Sequence, residues 1–428
     1  MPHSMNTHPW LTVVGLGEDG FSGLGEAART AIDQAQIIFG GARHLALIPQ
    51  QPGQQCHPWP RPFEGAYQQI LSYRGQRVCV LASGDPMWHG IGARLVNHIA
   101  LDELRILPAP SAITLAAARM GWAVQDITVI PVHSQSLAQV HLHLAPKARL
   151  VALSANSDTP RQLAALLVNA GFGDSQMTLF EHLGGSAERR VTAPAAEWRA
   201  QSVAALNLVA VDCDIPSVRA WSRRASLPDA AFDHDGQLTK RDVRALTLAR
   251  LAPVSGELLW DVGAGCGSIG IEWLRAIDRG RCLAIEANPE RCARIRHNCA
   301  QLGVPELEIM VGTAPVCLAG LEPPDAIFIG GGVTVNGMIE HCWAALKPGG
   351  RLVVNAVTLQ SEAVLITWRE RVGGELTRVQ VAQAEPLGRF DGWRTAYPVT
   401  LFTAVKSAQE SEHRSLSAAP NQPLAPLH

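Results

Sequence analysis

No stretch constrains this chain more than Leu258–Gly270, LLWDVGAGCGSIG. Leu258–Val262 is an apolar run broken only by Asp261 and closed by glycine, the pattern of a short parallel strand buried on both faces. Gly263, Gly265 and Gly267 follow in alternate positions, where a backbone without Cβ atoms turns tightly and comes close to a ligand. The apolar segment Ile269–Ile277 then restarts as a helix. A strand, a glycine turn and a helix N-terminus make a nucleotide-type pocket.

A dinucleotide fingerprint requires G-x-G-x-x-G, or Ala in the last place. Here that place holds Ser268, and the glycines alternate as D-x-G-x-G-x-G. Cys282–Glu286 (CLAIE) reads as a second strand ending in an acid, Glu286, where a carboxylate can hold ribose hydroxyls. Asp261, the alternating glycines and Glu286 resemble class I S-adenosyl-L-methionine-dependent methyltransferases. An NAD-binding half-fold is the rival, and Ser268 stands against it.

At 428 residues the chain is long enough for two or three domains. Its formal net charge is −2 and no run of Lys or Arg exceeds two residues, so nothing marks a nucleic-acid surface. The nine cysteines are scattered without a C-x-x-C pair, which predicts a reducing cytosol and neither disulfides nor structural zinc. His141 and His143 alternate and are predicted to share a strand face, with no third metal ligand near them. No basic-then-apolar leader opens the chain, and no apolar run reaches the ~18 residues of a membrane span. A cytoplasmic protein without membrane contact is therefore expected.

The N-terminal half opens with Leu11–Gly17 (LTVVGLG), a strand running into glycines. Gly15, Gly17 and Gly20 satisfy G-x-G-x-x-G, yet a helical pattern begins only at Leu24 and no acid closes the next strand, so the match is weak. GGARHL (Gly40–Leu45), VCVLASGDPMWHGIG (Val78–Gly92) and ILPAPSAITLAAARMGW (Ile106–Trp122) come next. The last is a strand, a proline-stiffened turn and a helix with Ser111 near its N-cap. Together these segments and their spacing resemble the tetrapyrrole methylase family, over about residues 10–212. The resemblance implies a class III methyltransferase fold of two α/β lobes, splitting near residue 107, with S-adenosyl-L-methionine between them. Carried over, Asp85, Trp88, Ser111 and Ala112 contact the cofactor, and Leu16 and Gly17 line the cleft. His133-Ser134-Gln135 stands where many family members carry His-Gly-Arg, which leaves the role of His133 open.

After Val211 the composition shifts to a polar stretch bracketed by Pro216 and Pro228. Residues 214–230 are read as a linker between a domain at 1–213 and another at 231–406. Thr239 is predicted to cap a helix over Lys240–Leu251 and to fold over the cofactor beside the glycine loop. Past Glu286 helix and strand alternate. A turn at Gly312–Pro315 sits where adenine is met, and a strand at Asp325–Ile329 ends in Gly330, Gly331 and Gly332. Those glycines leave open space at the switch point of the sheet, where substrate is expected. Leu376–Ala382 and Tyr397–Val405 suit a closing antiparallel hairpin, and the tail at 407–428 is expected to be disordered. Through GQLTKRDVRAL, DVGAGCGSIGIE, AIEANPE, GTAP and FIGGG this half resembles the decarboxylating methyltransferases of cobalamin biosynthesis, with a Rossmann-like class I fold.

The two resemblances imply a bifunctional enzyme in which each domain binds one S-adenosyl-L-methionine. In the second domain Thr239, Gly263, Ala264, Gly265, Cys266, Gly267, Glu286 and Ala314 hold it. The resemblances further imply that two meso carbons, positions 5 and 15, of an anionic tetrapyrrole (precorrin) are methylated and that one ring acetate side chain is decarboxylated. No metal is required. A sulfonium methyl is a strong electrophile and a meso carbon is enamine-like, so positioning is expected to supply most of the rate.

Arg forks and helix N-termini are expected to grip the substrate carboxylates. Gly330, Gly331, Gly332, His234, Arg241 and Arg389 are the expected substrate contacts. Arg244, Arg394, Arg43, His44 and Arg94 are further rim candidates, and no catalytic base is assigned. The resemblance also implies a homo-oligomer through the C-terminal domain. One alternative makes only the C-terminal half active, the N-terminal half being a binding or assembly module. Another is an RNA methyltransferase, against which the near-neutral charge speaks.

Overall fold

The computed structural model describes residues 9–63, 65–199, 202–214, 221–224 and 226–407. The predicted tail from residue 408 onward, and residues 215–220 and 225 of the predicted linker, lie outside these described residues. Two compact units emerge: Met1–Leu137 with Ala145–Arg219, and Ala138–Leu144 with Ala220–His428.

The first unit carries two sheets. Strands β1 (Leu11–Leu16), β2 (Ile37–Gly40), β3 (Gln55–Pro58), β4 (Val78–Ser83) and β5 (Leu104–Leu107) form a parallel sheet in the order β3-β2-β4-β1-β5. Alternate residues of its strands feed separate cores, Leu11, Val13, Phe39 and Val80 on one side, Val14, Leu16, Ile38 and Leu81 on the other. Burial on both faces explains why these strands read as unbroken apolar runs. Strands β6 (Ile127–Ile130), β7 (Arg149–Leu153), β8 (Gln176–Glu181), β9 (Arg189–Pro194) and β10 (Asn207–Asp212) form a mixed sheet in the order β6-β7-β10-β8-β9. The helix Ala112–Met120 packs Ile113 and Ala116 onto it against Val151, Phe180, Leu208 and Ala210.

The second unit is built on seven strands: β11 (Leu258–Val262), β12 (Arg281–Glu286), β13 (Glu308–Val311), β14 (Ala326–Ile329), β15 (Arg351–Ala356), β16 (Glu375–Val379) and, after a two-stranded excursion, β19 (Val399–Val405). Their order is β13-β12-β11-β14-β15-β19-β16, parallel except for the antiparallel β19. This is a Rossmann-like sheet whose order reverses beside β11, which places a ligand crevice at the carboxyl ends of β11 and β14. The excursion is a hairpin of β17 (Ala382–Leu387) and β18 (Phe390–Thr395), with both strands mostly exposed.

Two sequence expectations change here. The helix after Thr239 spans Arg241–Leu251 and its N-cap is Lys240, with no side-chain cap bond, so Thr239 does not cap it. His141 lies in a 3-10 helix, Leu137–Leu142, and not on a strand, so it shares no strand face with His143. Both imidazoles are held below their ordinary pKa by burial.

Candidate active sites

The glycine loop of the second unit follows from backbone sterics. Gly263, Gly265 and Gly267 take φ of +72°, +61° and +82°, a region L side chains rarely adopt. A Cβ on Gly263 would also sit 3.2 Å from the Gly331 nitrogen, so the β11 and β14 turns touch backbone to backbone. Beneath the loop Asp261 is fully buried. Its Oδ2 accepts from the Gly270 amide (2.9 Å), and burial pushes its carboxyl up to about 7. Glu286 closes the loop from β12, accepting from the Gly265 amide at Oε2 and the Asn288 amide at Oε1, both at 2.9 Å. Each carboxylate oxygen keeps a lone pair for a ligand hydroxyl.

Residues that the sequence reading missed hold a lid, residues 227–239, over this loop, where the Gln237 carbonyl would lie 3.4 Å from a Cβ on Gly265. Asn298, in the helix Pro289–Leu302, donates to the carbonyls of Asp233 and Cys266 (3.0 Å each) and accepts from the Asp233 amide (2.8 Å). Arg291 pairs with Asp235 at 2.9 Å and holds that carboxyl below the usual range. Arg244, read from sequence as a rim cation, is wholly buried and donates to Glu272 (2.6 Å), Asp229 (3.2 Å) and the carbonyls of Thr239 (2.5 Å) and Leu227. It anchors the lid and does not face a ligand. In sequence, neither Asn298 nor Arg244 differs from a solvated helix residue.

Lid and loop enclose a cavity of about 990 Å³, within the usual range for small-molecule sites. Of the predicted contacts it is lined by Thr239, Arg241, Gly263, Ala264, Gly265, Glu286, Ala314, Gly330, Gly331 and Gly332. Four others fall outside that lining. The Cys266 side chain is buried in the core, where burial raises its thiol to about 11. Gly267 serves as the helix N-cap. The His234 Nδ1 accepts from the Gly236 amide at 3.0 Å. Arg389 lies in the turn between β17 and β18 with its guanidinium over Phe390. Beyond the glycines the wall is apolar (Val335, Met338, Val357, Val381, Val399) and turns polar along the hairpin at Gln383, Glu385 and Arg394.

The first unit has its own cavity, of about 530 Å³. Three segments meet at one point: a Cβ on Gly15 would lie 1.9 Å from the Gly84 oxygen and 2.6 Å from the Ala109 nitrogen. The VVGLG strand therefore needs its first glycine so that the Ser-Gly-Asp-Pro loop and the proline turn can cross it. All six predicted contacts line this cavity: Leu16, Gly17, Asp85, Trp88, Ser111 and Ala112. Asp85 accepts from the Met87 amide (2.8 Å), and Ser111 caps its helix by accepting from Thr114 (3.2 Å).

Arg43, His44, Arg94 and His133 line the cavity as well. Glu18 and Ser83, which no sequence pattern singles out, complete a network there. Arg43 donates to Glu18, to Ser83 Oγ (3.3 Å) and to His44 Nε2 (2.9 Å), and His182 Nδ1 lies 3.2 Å from Glu18. Burial, with Arg43 beside it, takes His44 down to about 4, so the ring is neutral near pH 7. His133 is also lowered, by burial and by His89.

Both cavities fit a nucleoside-type group with a charged tail, having glycine-cradled backbone on one side and carboxylate or hydroxyl acceptors on the other.

Comparison with known proteins bears on the same two regions. Residues 11–198 match the family described as Tetrapyrrole (Corrin/Porphyrin) Methylases, and residues 230–406 match the Precorrin methyltransferase domain. A precorrin-6Y C(5,15)-methyltransferase [decarboxylating] from Sinorhizobium sp is 49% identical over 399 residues, 93% of this chain and 97% of that protein. One of the same name from Mycobacterium tuberculosis is 43% identical over 92% of this chain and 100% of its own. A shorter relative, a probable cobalt-precorrin-6B C(15)-methyltransferase (decarboxylating) from Saccharolobus solfataricus, is 31% identical over 37% of this chain and 83% of its own length. Two-unit architecture, two glycine-cradled cavities and near full-length identity converge: the chain belongs to the precorrin-6Y C(5,15)-methyltransferase (decarboxylating) family.

Proposed function

We propose that the chain is a bifunctional S-adenosyl-L-methionine-dependent C-methyltransferase. It methylates positions 5 and 15 of precorrin-6Y (precorrin-6B) and decarboxylates a ring acetate side chain to give precorrin-8X in cobalamin biosynthesis. The observation that carries this reading is the presence of two separate cavities, each at glycine turns that close parallel strands. We assign residues 1–213 and 231–406 as the two catalytic domains, one cofactor to each. The decarboxylating step belongs to the second, in line with its sequence resemblance and its match to the Precorrin methyltransferase domain.

When bound, the cofactor supplies an electrophilic methyl group. The protein's part is positioning. Glu286 holds hydroxyls, Gly263 and Gly265 let backbone approach, and Thr239 with the lid covers them. Lys240, Arg241 and Arg394 line the second cavity and suit substrate carboxylates. The apolar wall at Val335, Met338, Val357 and Val381 offers a carboxylate no partner, which favours its loss as neutral carbon dioxide. No step in this scheme needs a metal. Among the described residues no helix is long and apolar enough to cross a membrane, and we assign the enzyme to the cytoplasm without a nucleic-acid partner. We also assign it a homo-oligomeric state through the second unit, supported by the exposed Leu387, Phe390 and Trp393 of the hairpin.

Calorimetric titration of S-adenosylhomocysteine into the full chain tests the reading. Two sites are expected, one abolished by Gly265→Arg and the other weakened by Asp85→Ala. A single site, lost with Gly265→Arg, would leave the first unit without a cofactor and reject bifunctionality.

A further inference from the structure

The carboxyl ends of β11, β14 and β15 lie side by side. Val262 pairs with Ile329 and Ile329 with Val354, so the next residues in register are Gly263, Gly330 and Asn355. Gly263 belongs to the cofactor loop and Gly330 to the open space beside it. Asn355 is the first polar side chain beyond that space, and it lines the same cavity.

The orientation of its amide is fixed by a relay. Thr247, wholly buried in the helix Arg241–Leu251, spends its single hydroxyl proton on the Val243 carbonyl (2.8 Å). Its oxygen therefore only accepts, and it accepts from Asn355 Nδ2 at 2.9 Å. A flipped amide would set two acceptors against each other. Asn355 Oδ1 is consequently turned the other way, buried, with no hydrogen-bond donor among the described residues. A buried acceptor of this kind is costly unless a ligand supplies a donor. Val357 and Val399, which line the same cavity, offer none.

We propose that Asn355 is a substrate-positioning residue whose amide oxygen receives a pyrrole-type N–H of the macrocycle. The inference rests on the tetrapyrrole reading given above. It also has a directional consequence. A carboxylate is acceptor-only and cannot be placed against Oδ1, so the acetate side chain that loses carbon dioxide lies elsewhere in the cavity. The Thr247–Asn355 relay thus distinguishes the nitrogen-bearing inner rim of the substrate from its carboxylate-bearing periphery.

The test uses the full chain, its precorrin substrate and the release of carbon dioxide. In Asn355→Leu and Asn355→Val, kcat/KM for release is expected to fall about tenfold to a hundredfold, mainly through KM, the loss expected for an unmet buried hydrogen bond. S-adenosylhomocysteine affinity is expected to stay within about twofold, which shows an intact pocket. Two results would overturn the inference: apolar variants within about threefold of the parent chain, or S-adenosylhomocysteine affinity falling in parallel with kcat/KM. A parent chain that binds no S-adenosylhomocysteine at the second unit, or releases no carbon dioxide, would instead reject the functional reading itself.

Discussion

Replacing Arg244 by Met tests the buried anchor beneath the lid. The guanidinium is wholly buried and donates to Glu272, Asp229 and two backbone carbonyls. Met fills comparable volume, but it leaves Glu272, 5% exposed, as a buried carboxylate without its cation, and the carbonyls of Thr239 and Leu227 without a donor. Removing one partner of a buried pair costs about 3–5 kcal/mol. For a unit of roughly 200 residues each kcal/mol moves the melting temperature by about 2–4 °C, so a drop of about 10 °C is expected.

Burial already holds Glu272 above the ordinary carboxylate range while Arg244 opposes the shift; without Arg244 it rises further. A folded pKa above the unfolded one contributes stability below the unfolded value and loses it as pH rises through the folded value. The deficit of Arg244→Met should therefore shrink on the acid side. The double variant Arg244→Met/Glu272→Leu should recover most of it, because an apolar pair replaces an ion pair at little net cost. Scanning calorimetry of the full chain, following the transition that S-adenosylhomocysteine shifts through the second unit, reads all three. A single variant melting within about 2 °C of the parent would refute the claim that this network holds the lid.

Gly265→Ala forces a side chain into φ +61°, a strain of about 1–2 kcal/mol; calorimetry should show S-adenosylhomocysteine bound at least several-fold more weakly at the second unit. His44, held near 4 in the folded chain, contributes stability that is complete above its ordinary value of 6.5 and is lost as pH falls toward about 4. His44→Gln should flatten that acid limb in thermal melts of the first unit. Phe390→Ser with Trp393→Ser removes two side chains exposed by 70% and 78%, and light scattering should report a smaller assembly.

The parts of the two sites that could be read from the chain were those made of backbone. Alternating glycines, Gly330–Gly332 and the Ser-Gly-Asp-Pro turn all mark places where a Cβ cannot stand, and such positions leave the same trace wherever they occur. The parts that could not be read depend on tertiary neighbours. Arg244 carries the same side chain as a rim cation and differs only in being enclosed. Asn298, Glu18 and Asn355 act through partners 25 to 164 residues away in the chain, and no local period announces them. The β17–β18 hairpin was missed because AQAEPL and FDGWRT bury no face, so neither shows the alternation that marks a half-buried strand. Thr239 fell one residue short of the cap because Lys240 takes that place through its backbone alone.

The adjacency of Gly263, Gly330 and Asn355 has a metrical meaning. Neighbouring strands in a sheet stand about 4.8 Å apart whatever side chains they carry. Two strand spacings, about 10 Å, therefore separate the residue that admits the cofactor from the one that meets the far edge of the substrate. Loops and lid can drift in sequence and tighten or loosen either ligand, but the gauge between them is set by peptide hydrogen bonds, which substitution does not alter. Relatives that keep the strand order keep the reach, and a change of substrate size would require a change of strand.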